Sequence, residues 1–422
     1  MRRYTTDTRT LQPGDTFVAV RGERTDGHVF IPDAIAKGAA GLIVEAGAWP
    51  EPAHRPAPGA VEVVQVPDTV IYLGQEAQRR IAELQPLIVA VTGSIGKTTT
   101  KNAIATVLSQ AKPVITPKGN LNTLLGLSLT LLNELHDSGQ VVVAEMGAYQ
   151  RGDLAQICAY IRPAISVVTN VRPVHLERMG SLENVALAKA EIVTALPESG
   201  TACLNADDPL VRQMAEVCRG RVITYGTGEA ADISRNLIKV PIPLLGAYQV
   251  YTALAAYSVG RCLGMTDEAI NAGIAQMRPE KGRLKSLPGI NGSRLIDDTY
   301  NASQESSLAA LEVLATQPAE RRFAVLGDML ELGPQGADMH AAIAADLAEQ
   351  NIDLVFAAGP LMRHLFDAAA PAQRGLWAAT AAELAEPLKQ ALRSGDAVMI
   401  KGSNGSRMGP LANGLKQHFG GA

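Results

Sequence analysis

The segment IVAVTGSIGKTTTKN, residues 88–102, decides the fold. An apolar, β-branched run stops at a glycine. A second glycine follows three residues later, then a lysine, three threonines and a helix-like stretch. A strand ending at Thr92, a glycine turn and a helix opening near Lys97 aim backbone N–H groups at one point, which suits anionic oxygens. Gly93, Ser94, Ile95, Gly96, Lys97, Thr98 and Thr99 are therefore the candidate phosphate cradle. Lys97 is placed to neutralise β- and γ-phosphates, and the Thr98 hydroxyl to bind Mg²⁺. Val91 stands where the longer G-x-x-x-x-G-K-[ST] pattern has its first glycine, so the loop has the shorter T-G-x-x-G-K-T form.

Working outward, apolar runs and amphipathic segments alternate from about residue 86: VVVAEMG, DLAQICAYI, ISVVTN, LENVALAKAEIVTAL and TACLNADD. That alternation predicts a parallel sheet covered by helices on both faces. The pattern restarts at RLIDDTYN and continues through RFAVLGDM, LVFAAG and AVMIKGS. Before the loop, DTFVAV, DAIAKGA, GLIVEA and VEVVQV suit a small α/β unit. Residues 48–60, AWPEPAHRPAPGA, read as a linker or long loop. Three α/β domains are expected, over residues 1–85, 86–283 and 284–422 of the 422.

The net charge of −4, without basic runs, speaks against a general binder of nucleic acid or anionic membranes. No apolar stretch reaches the ~18 residues of a membrane span. The opening MRRYTTDTRT lacks an apolar signal core, so a cytoplasmic location is expected. Cys158, Cys203, Cys218 and Cys262 form no CxxC or Cys/His cluster and are expected to be reduced thiols.

Several polar residues fall at predicted strand ends, where ligands bind in open parallel sheets. Glu145 closes VVVAE and is a natural second handle for Mg²⁺ beside a phosphate loop. His175, in RPVHLERMGS, is either a solvated loop residue or a ligand. From the residues alone, Lys189 in LENVALAKAEIV reads as a lysine snorkelling from a helix face. A desolvated amine there would instead have a lowered pKa.

VTGSIGKTTTK, GNLNTLLGLSLTLL, VVVAEMGAYQRGDL, RPVHLERMGSLENVALAKAEI, LNADDP, DDTYNAS, VLGDMLELG and IKGSNGSRM occur in this order. Together they resemble the Mur ligases of peptidoglycan synthesis. DDTYNAS and GDMLELG point to the member that adds D-alanyl-D-alanine to UDP-N-acetylmuramoyl-tripeptide. The resemblance implies an N-terminal domain that binds the uridine nucleotide, a central ATPase domain with a P-loop, and a Rossmann-like C-terminal domain. It also implies an ATP-dependent amide ligase working through an acyl phosphate.

Carried over by motif, Lys97 holds phosphates, Thr98 and Glu145 bind two Mg²⁺ ions, and His175 joins them. Lys189 matches a lysine that relatives can carbamylate, turning it into a further metal ligand. Asn120 and Asn122 face the phosphates or the acyl group. Arg283, at the hinge, is a candidate phosphate contact, while Asp298, Tyr300 and Asn301 close over ATP and the second substrate. Thr8, Arg9, Asp26, Gly27 and His28 lie in DTRTLQPGDTFVAVRGERTDGHVFI, similar to the part that holds the uridine nucleotide. A monomer with small-molecule substrates, without nucleic acid or a membrane span, is implied.

The segment GAYQVYTALAA, residues 246–256, departs from the family's G-x-H-N-x-x-N-A-L-A-A. Tyr248, Gln249 and Thr252 replace the histidine and the two asparagines, so adenine recognition is expected to differ, with Gln249 keeping an amide. Two alternatives stay open: a Mur-like paralogue with another amine substrate, and a nucleotide-binding module without catalysis.

Overall fold

The structure is a computed structural model describing residues 2–22, 25–48, 61–174 and 176–417. Residues 49–60 of the Pro/Ala stretch therefore lie outside the described residues, as does His175.

The N-terminal sheet is parallel in the order β1 (Tyr4–Thr5), β2 (Thr16–Val18), β3 (Gly41–Glu45), β4 (Glu62–Val66). Helix α1 (Ile31–Ala36) lies between β2 and β3 in the chain, and α2 (Thr69–Leu84) leads to the central domain. Asp68 caps α2 by accepting from Val70 N and Ile71 N, and Gln85 closes it in the left-handed region.

The central sheet uses β5 (Leu87–Thr92), β6 (Val114–Ile115), β7 (Val141–Glu145), β8 (Ile165–Val168), β9 (Thr201–Asn205), β10 (Arg221–Gly226) and β11 (Ile233–Ser234). Their spatial order is β11-β10-β9-β8-β5-β7-β6, and every pairing is parallel. From β5 the chain crosses to the edge strand β6, returns to β7 beside β5, and then passes to β8 on the other flank of β5. The exit of β5 is thus the point where the strand order reverses, where an open sheet leaves a crevice.

One sheet face is covered by α4 (Leu124–Glu134), α5 (Asp153–Tyr160) and α7 (Leu182–Thr194), after the short α6 (Leu176–Met179). Helix α8 (Pro209–Gln213) joins that side. The opposite face packs against α3 (Lys97–Leu108), α9 (Gln249–Cys262) and α10 (Asp267–Ala275).

In the C-terminal domain, β12 (Lys285–Pro288), β13 (Arg294–Asp298), β14 (Arg321–Gly327), β15 (Leu354–Ala358), β16 (Arg374–Ala378) and β17 (Asp396–Lys401) form a sheet ordered β12-β13-β17-β14-β15-β16. Five strands are parallel; β12 adds an antiparallel edge that the alternation of apolar runs did not signal. Helices α11 (Gln304–Ala315), α12 (Gly336–Glu349) and α13 (Met362–Ala368) cover one face, and α14 (Ala385–Ala391) with α15 (Met408–Gly414) the other.

Two glycines fix where the phosphate-loop helix sits. A Cβ on Gly273 of α10 would lie 2.6 Å from the Val107 Cα of α3, and one on Gly260 of α9 would lie 2.7 Å from Ile270 Cγ1. Helices α3, α9 and α10 therefore approach at nearly backbone contact, leaving no room for a methyl group. Gly273→Ala is expected to push α3 outward and to destabilise the central domain by about 1–3 kcal/mol. Its denaturation midpoint should fall; an unchanged midpoint would show that α3 is not held by this contact.

Candidate functional site

The phosphate loop is built from both ends. Thr92, buried at the end of β5, donates its hydroxyl to Met146 O at 2.9 Å. Gly93 follows with φ +145, and a Cβ there would lie 1.9 Å from Thr169 Oγ1, so no other residue fits. Gly96, with φ +82, starts α3 from the left-handed region. The exit of β8 pins the loop from its flank. Asn170 Oδ1 accepts from Ile95 N at 2.9 Å, Thr169 Oγ1 donates to Ile95 O at 2.8 Å, and Ser94 Oγ donates to Arg172 O at 3.0 Å. Lys97 Nζ folds back on the loop, donating to Gly93 O at 2.9 Å and Ser94 O at 3.0 Å. Burial pushes the Lys97 pKa down, against the pull of Glu145.

Beside the loop lies an oxygen-rich corner. Glu145, buried at the end of β7, accepts from Thr98 Oγ1 at 2.5 Å on one oxygen and from Asn122 Nδ2 at 3.0 Å on the other. The same Thr98 oxygen accepts from Arg283 Nη2 at 2.8 Å, so the hinge arginine reaches the phosphate loop. Among the described residues, no three His, Cys, Asp or Glu side chains gather as a metal site by themselves. Thr98 and Glu145 are hard oxygen donors, a partial set of the kind Mg²⁺ completes with phosphate oxygens and water.

The C-terminal domain supplies the facing wall. Asp298, at the end of β13, accepts from Lys401 Nζ at 2.7 Å and from Leu284 N at 3.1 Å; Lys401 also donates to Asn301 O at 3.0 Å. This buried pair joins the ends of β13 and β17 to the hinge. The Arg283 guanidinium sits 4.0 Å above the Tyr300 ring.

Between these walls lies a cavity of about 650 Å³. Of the sequence-predicted residues, Ser94, Ile95, Gly96, Lys97, Thr98, Thr99, Asn120, Asn122, Glu145, Gln249, Arg283, Asp298, Tyr300 and Asn301 line it. Gly93 supports the loop from below. Lys189 does not line the cavity, and the snorkelling reading of it fails. Only 1% of it is exposed, on the face of α7 that also buries Val185, Ala188, Ile192 and Val193. Its pKa falls to about 7, first through burial and then through repulsion from Lys97, with Asp153, Glu191 and Glu145 opposing.

The N-terminal candidates are not brought to this cavity. Thr8 is buried, with its carbonyl accepting from Lys37 Nζ, and Arg9 is paired with Asp7 at 2.7 Å on the surface. Asp26 caps the turn Gly27–Phe30 by accepting from His28 N. His28 Nε2 accepts from Glu45 N at 2.9 Å, which places the ring hydrogen on Nδ1, 2.6 Å from Asp26 Oδ1. A Cβ on Gly27 would meet Val20 N and O at 2.7 Å, so these residues form a tightly packed turn of their own.

The sequence matches the Mur ligase family catalytic domain over residues 2–82, the Mur ligase middle domain over 91–260 and the Mur ligase glutamate ligase domain over 282–404. The UDP-N-acetylmuramoyl-tripeptide–D-alanyl-D-alanine ligase of Synechocystis sp. is 35% identical, over 97% of this chain and 91% of its own. The chain belongs to the Mur ligase family. Among solved Mur ligases, MurF from Acinetobacter baumannii superposes with a TM-score of 0.85 at 29% identity, covering 97% of this chain and 92% of its own. MurF from Thermotoga maritima, in complex with ADP, superposes at 0.83 and 28% identity, covering 98% and 96%.

At the altered motif of this Mur ligase, Gln249 opens α9 and both it and Thr252 are buried on the cavity wall. Thr252 Oγ1 donates to Gln249 Oε1 at 2.9 Å, so the substituted pair holds itself together. Tyr248 also lines the cavity, with 36% of its surface exposed.

Sequence reasoning missed four supporting residues. Lys401 stands at the end of an apolar run, in AVMIKGS, the position that singled out Glu145. Asp208 accepts from Arg172 Nη1 at 2.7 Å and Val171 N at 3.0 Å, steadying the β8 exit, and its LNADDP motif was visible. Thr169 and Asn170 carried no signal beyond ending a strand.

The buried amine of this Mur ligase also sets a pH dependence. An unfolded Lys189, with pKa near 10.5, holds a proton that the folded chain releases above about 7. Lys189 therefore costs stability increasingly as pH falls from 10.5 toward 7, on the order of 5 kcal/mol at most. Lys189→Met should stabilise the central domain at pH 7 in CO₂-depleted buffer, and the gain should shrink toward pH 10. A gain independent of pH in denaturation curves would refute the titration.

Proposed function

We propose that this chain joins D-alanyl-D-alanine to UDP-N-acetylmuramoyl-tripeptide, driven by ATP, in the cytoplasm and as a monomer. The observation that carries this reading is a relative bearing that activity in its name, alike over nearly the full length of both chains. The ADP complex of the Thermotoga maritima neighbour supports ATP as the nucleotide.

In this reading ATP enters with its phosphates on the turn from Gly93 to Thr99. Lys97 exchanges its two loop carbonyls for phosphate oxygens. Thr98 and Glu145 would hold Mg²⁺, which when bound would supply positive charge against the phosphates. The terminal carboxylate of the tripeptide attacks the γ-phosphorus; the bond to ADP breaks and an acyl phosphate forms. The amine of D-alanyl-D-alanine then attacks the acyl carbon and loses a proton, and phosphate leaves. Arg283, already on Thr98 and stacked on Tyr300, follows the charge from the hinge, and Asn120 and Asn122 orient the acyl group. The self-paired Gln249 and Thr252 face the base. Thr8, Arg9, Asp26, Gly27 and His28 hold the distant uridine end.

Phosphate release is expected to require both UDP-N-acetylmuramoyl-tripeptide and D-alanyl-D-alanine, and to drop about a hundredfold or more in Lys97→Ala. Undiminished release with the dipeptide omitted or replaced would overturn the assigned amine. An active Lys97→Ala would overturn the phosphate-loop assignment.

Lys189 supports a second part of the proposal. With a pKa of about 7, much of its amine is uncharged near neutrality. The nitrogen can attack CO₂ and lose a proton to give a carbamate, which would put an anionic oxygen ligand near Glu145 and Lys97. Equilibration with ¹³C-bicarbonate should give a carbamate resonance that disappears in Lys189→Met. A spectrum of the native protein without that resonance would rule the carbamate out.

A further inference from the structure

Cys203 and Cys262, 59 residues apart in the chain, meet in the core between the central sheet and α9, with their sulfurs 3.9 Å apart. Cys203 is fully buried in β9, two residues before Asn205 on the cavity wall. Cys262 ends α9 and is half-buried, so solvent reaches one member of the pair. The other two thiols are placed differently: Cys158 lies against Met146 Sδ at 4.0 Å, and Cys218 faces Arg221 O at 3.8 Å.

We propose that Cys203 and Cys262 are a modification site, closing a reversible disulfide between β9 and α9 when a peroxide reaches Cys262. Cys203 lies in the middle of its strand and Cys262 at the end of a covering helix, and their sulfurs, 3.9 Å apart, must close by about 2 Å to reach the ~2.05 Å of a disulfide bond.

The pair also differentiates its two members. The two sulfurs share a hydrogen bond, which with the charge of Arg221 lowers the Cys262 pKa. That hydrogen bond and burial raise the pKa of Cys203. Cys262 is therefore both the reachable sulfur and the more readily ionised one, and Cys203 is the resolving thiol.

With a peroxide, the Cys262 thiolate attacks one oxygen, the O–O bond breaks, and the departing hydroxide takes up a proton as water. The product is a Cys262 sulfenic acid. The Cys203 sulfur then attacks the Cys262 sulfur; the S–S bond forms and the S–O bond breaks. The hydroxyl leaves with the Cys203 proton as a second water. Two electrons from the sulfurs reduce one peroxide to two waters. The resulting link ties α9, whose other end carries Gln249 and Thr252, to the strand beneath it, and α9 in turn packs on the phosphate-loop helix α3.

The test is thiol mapping of the full-length protein. After brief hydrogen peroxide treatment, denaturation and alkylation, the four titratable thiols should fall to two. A dithiothreitol-sensitive peptide linking Cys203 to Cys262 should appear. Cys203→Ser should abolish the link and leave a Cys262 sulfenic acid that dimedone traps. Cys262→Ser, at the half-buried position, should abolish it as well and serves if the buried variant misfolds. Cys158→Ser should leave the link unchanged. Retention of all four thiols, a link between other cysteines, or Cys262 oxidised to sulfinic acid while Cys203 stays alkylatable would overturn the proposal.

Discussion

The site rests on the space between Gly93 and Thr169. The turn after β5 has φ +145 at Gly93, and any side chain there would collide with the Thr169 hydroxyl. Because nothing fills that space, Thr169 and Asn170 reach Ile95, and Ser94 bonds to the β8 exit. The loop is held by side chains and backbone at the β8 exit.

The second organising contact crosses domains. One threonine oxygen donates to a carboxylate of the central sheet and accepts from an arginine on the hinge. That arginine stacks on Tyr300 of the C-terminal domain, while Asp298 and Lys401 bind the hinge backbone to two strand ends. Loss of either member of the Asp298–Lys401 pair would strand a largely buried charge, which is far more disruptive than loss of a surface pair. Charge and position are thus coupled across the cavity through three adjoining groups.

What was readable in the sequence followed a local rule. The loop, the strand before it, the helix after it and Glu145 each announce themselves through periodicity or strand-end position. So did the three α/β units, though not the antiparallel edge β12, which rests on a short Lys-Ser-Leu-Pro stretch without clear alternation. Residues that depend on strand order were hidden. Lys401 matters because β17 lies beside β13, about a hundred residues earlier in the chain. Cys203 and Cys262 looked scattered because a strand and a helix had to be stacked before they met. Lys189 misled because the polar head of a lysine suggests solvent, whereas α7 turns that face inward under the loop. Of the N-terminal candidates, Asp26, Gly27 and His28 form a turn of their own, and none of the five lines the cavity.

The loop has a further property. Lys97 is not waiting with an unsatisfied charge; its amine is bonded to two carbonyls of the loop it serves. An anion that enters must first break those bonds, so what it gains is an exchange rather than a new attraction. A lone phosphate or sulfate, offering few contacts, recovers little more than it displaces. A triphosphate that also reaches the α3 backbone and the far wall recovers much more. The lysine's self-engagement thus acts as a threshold: it discounts small anions, which are abundant in any cell, and favours a ligand long enough to engage both sides of the cavity.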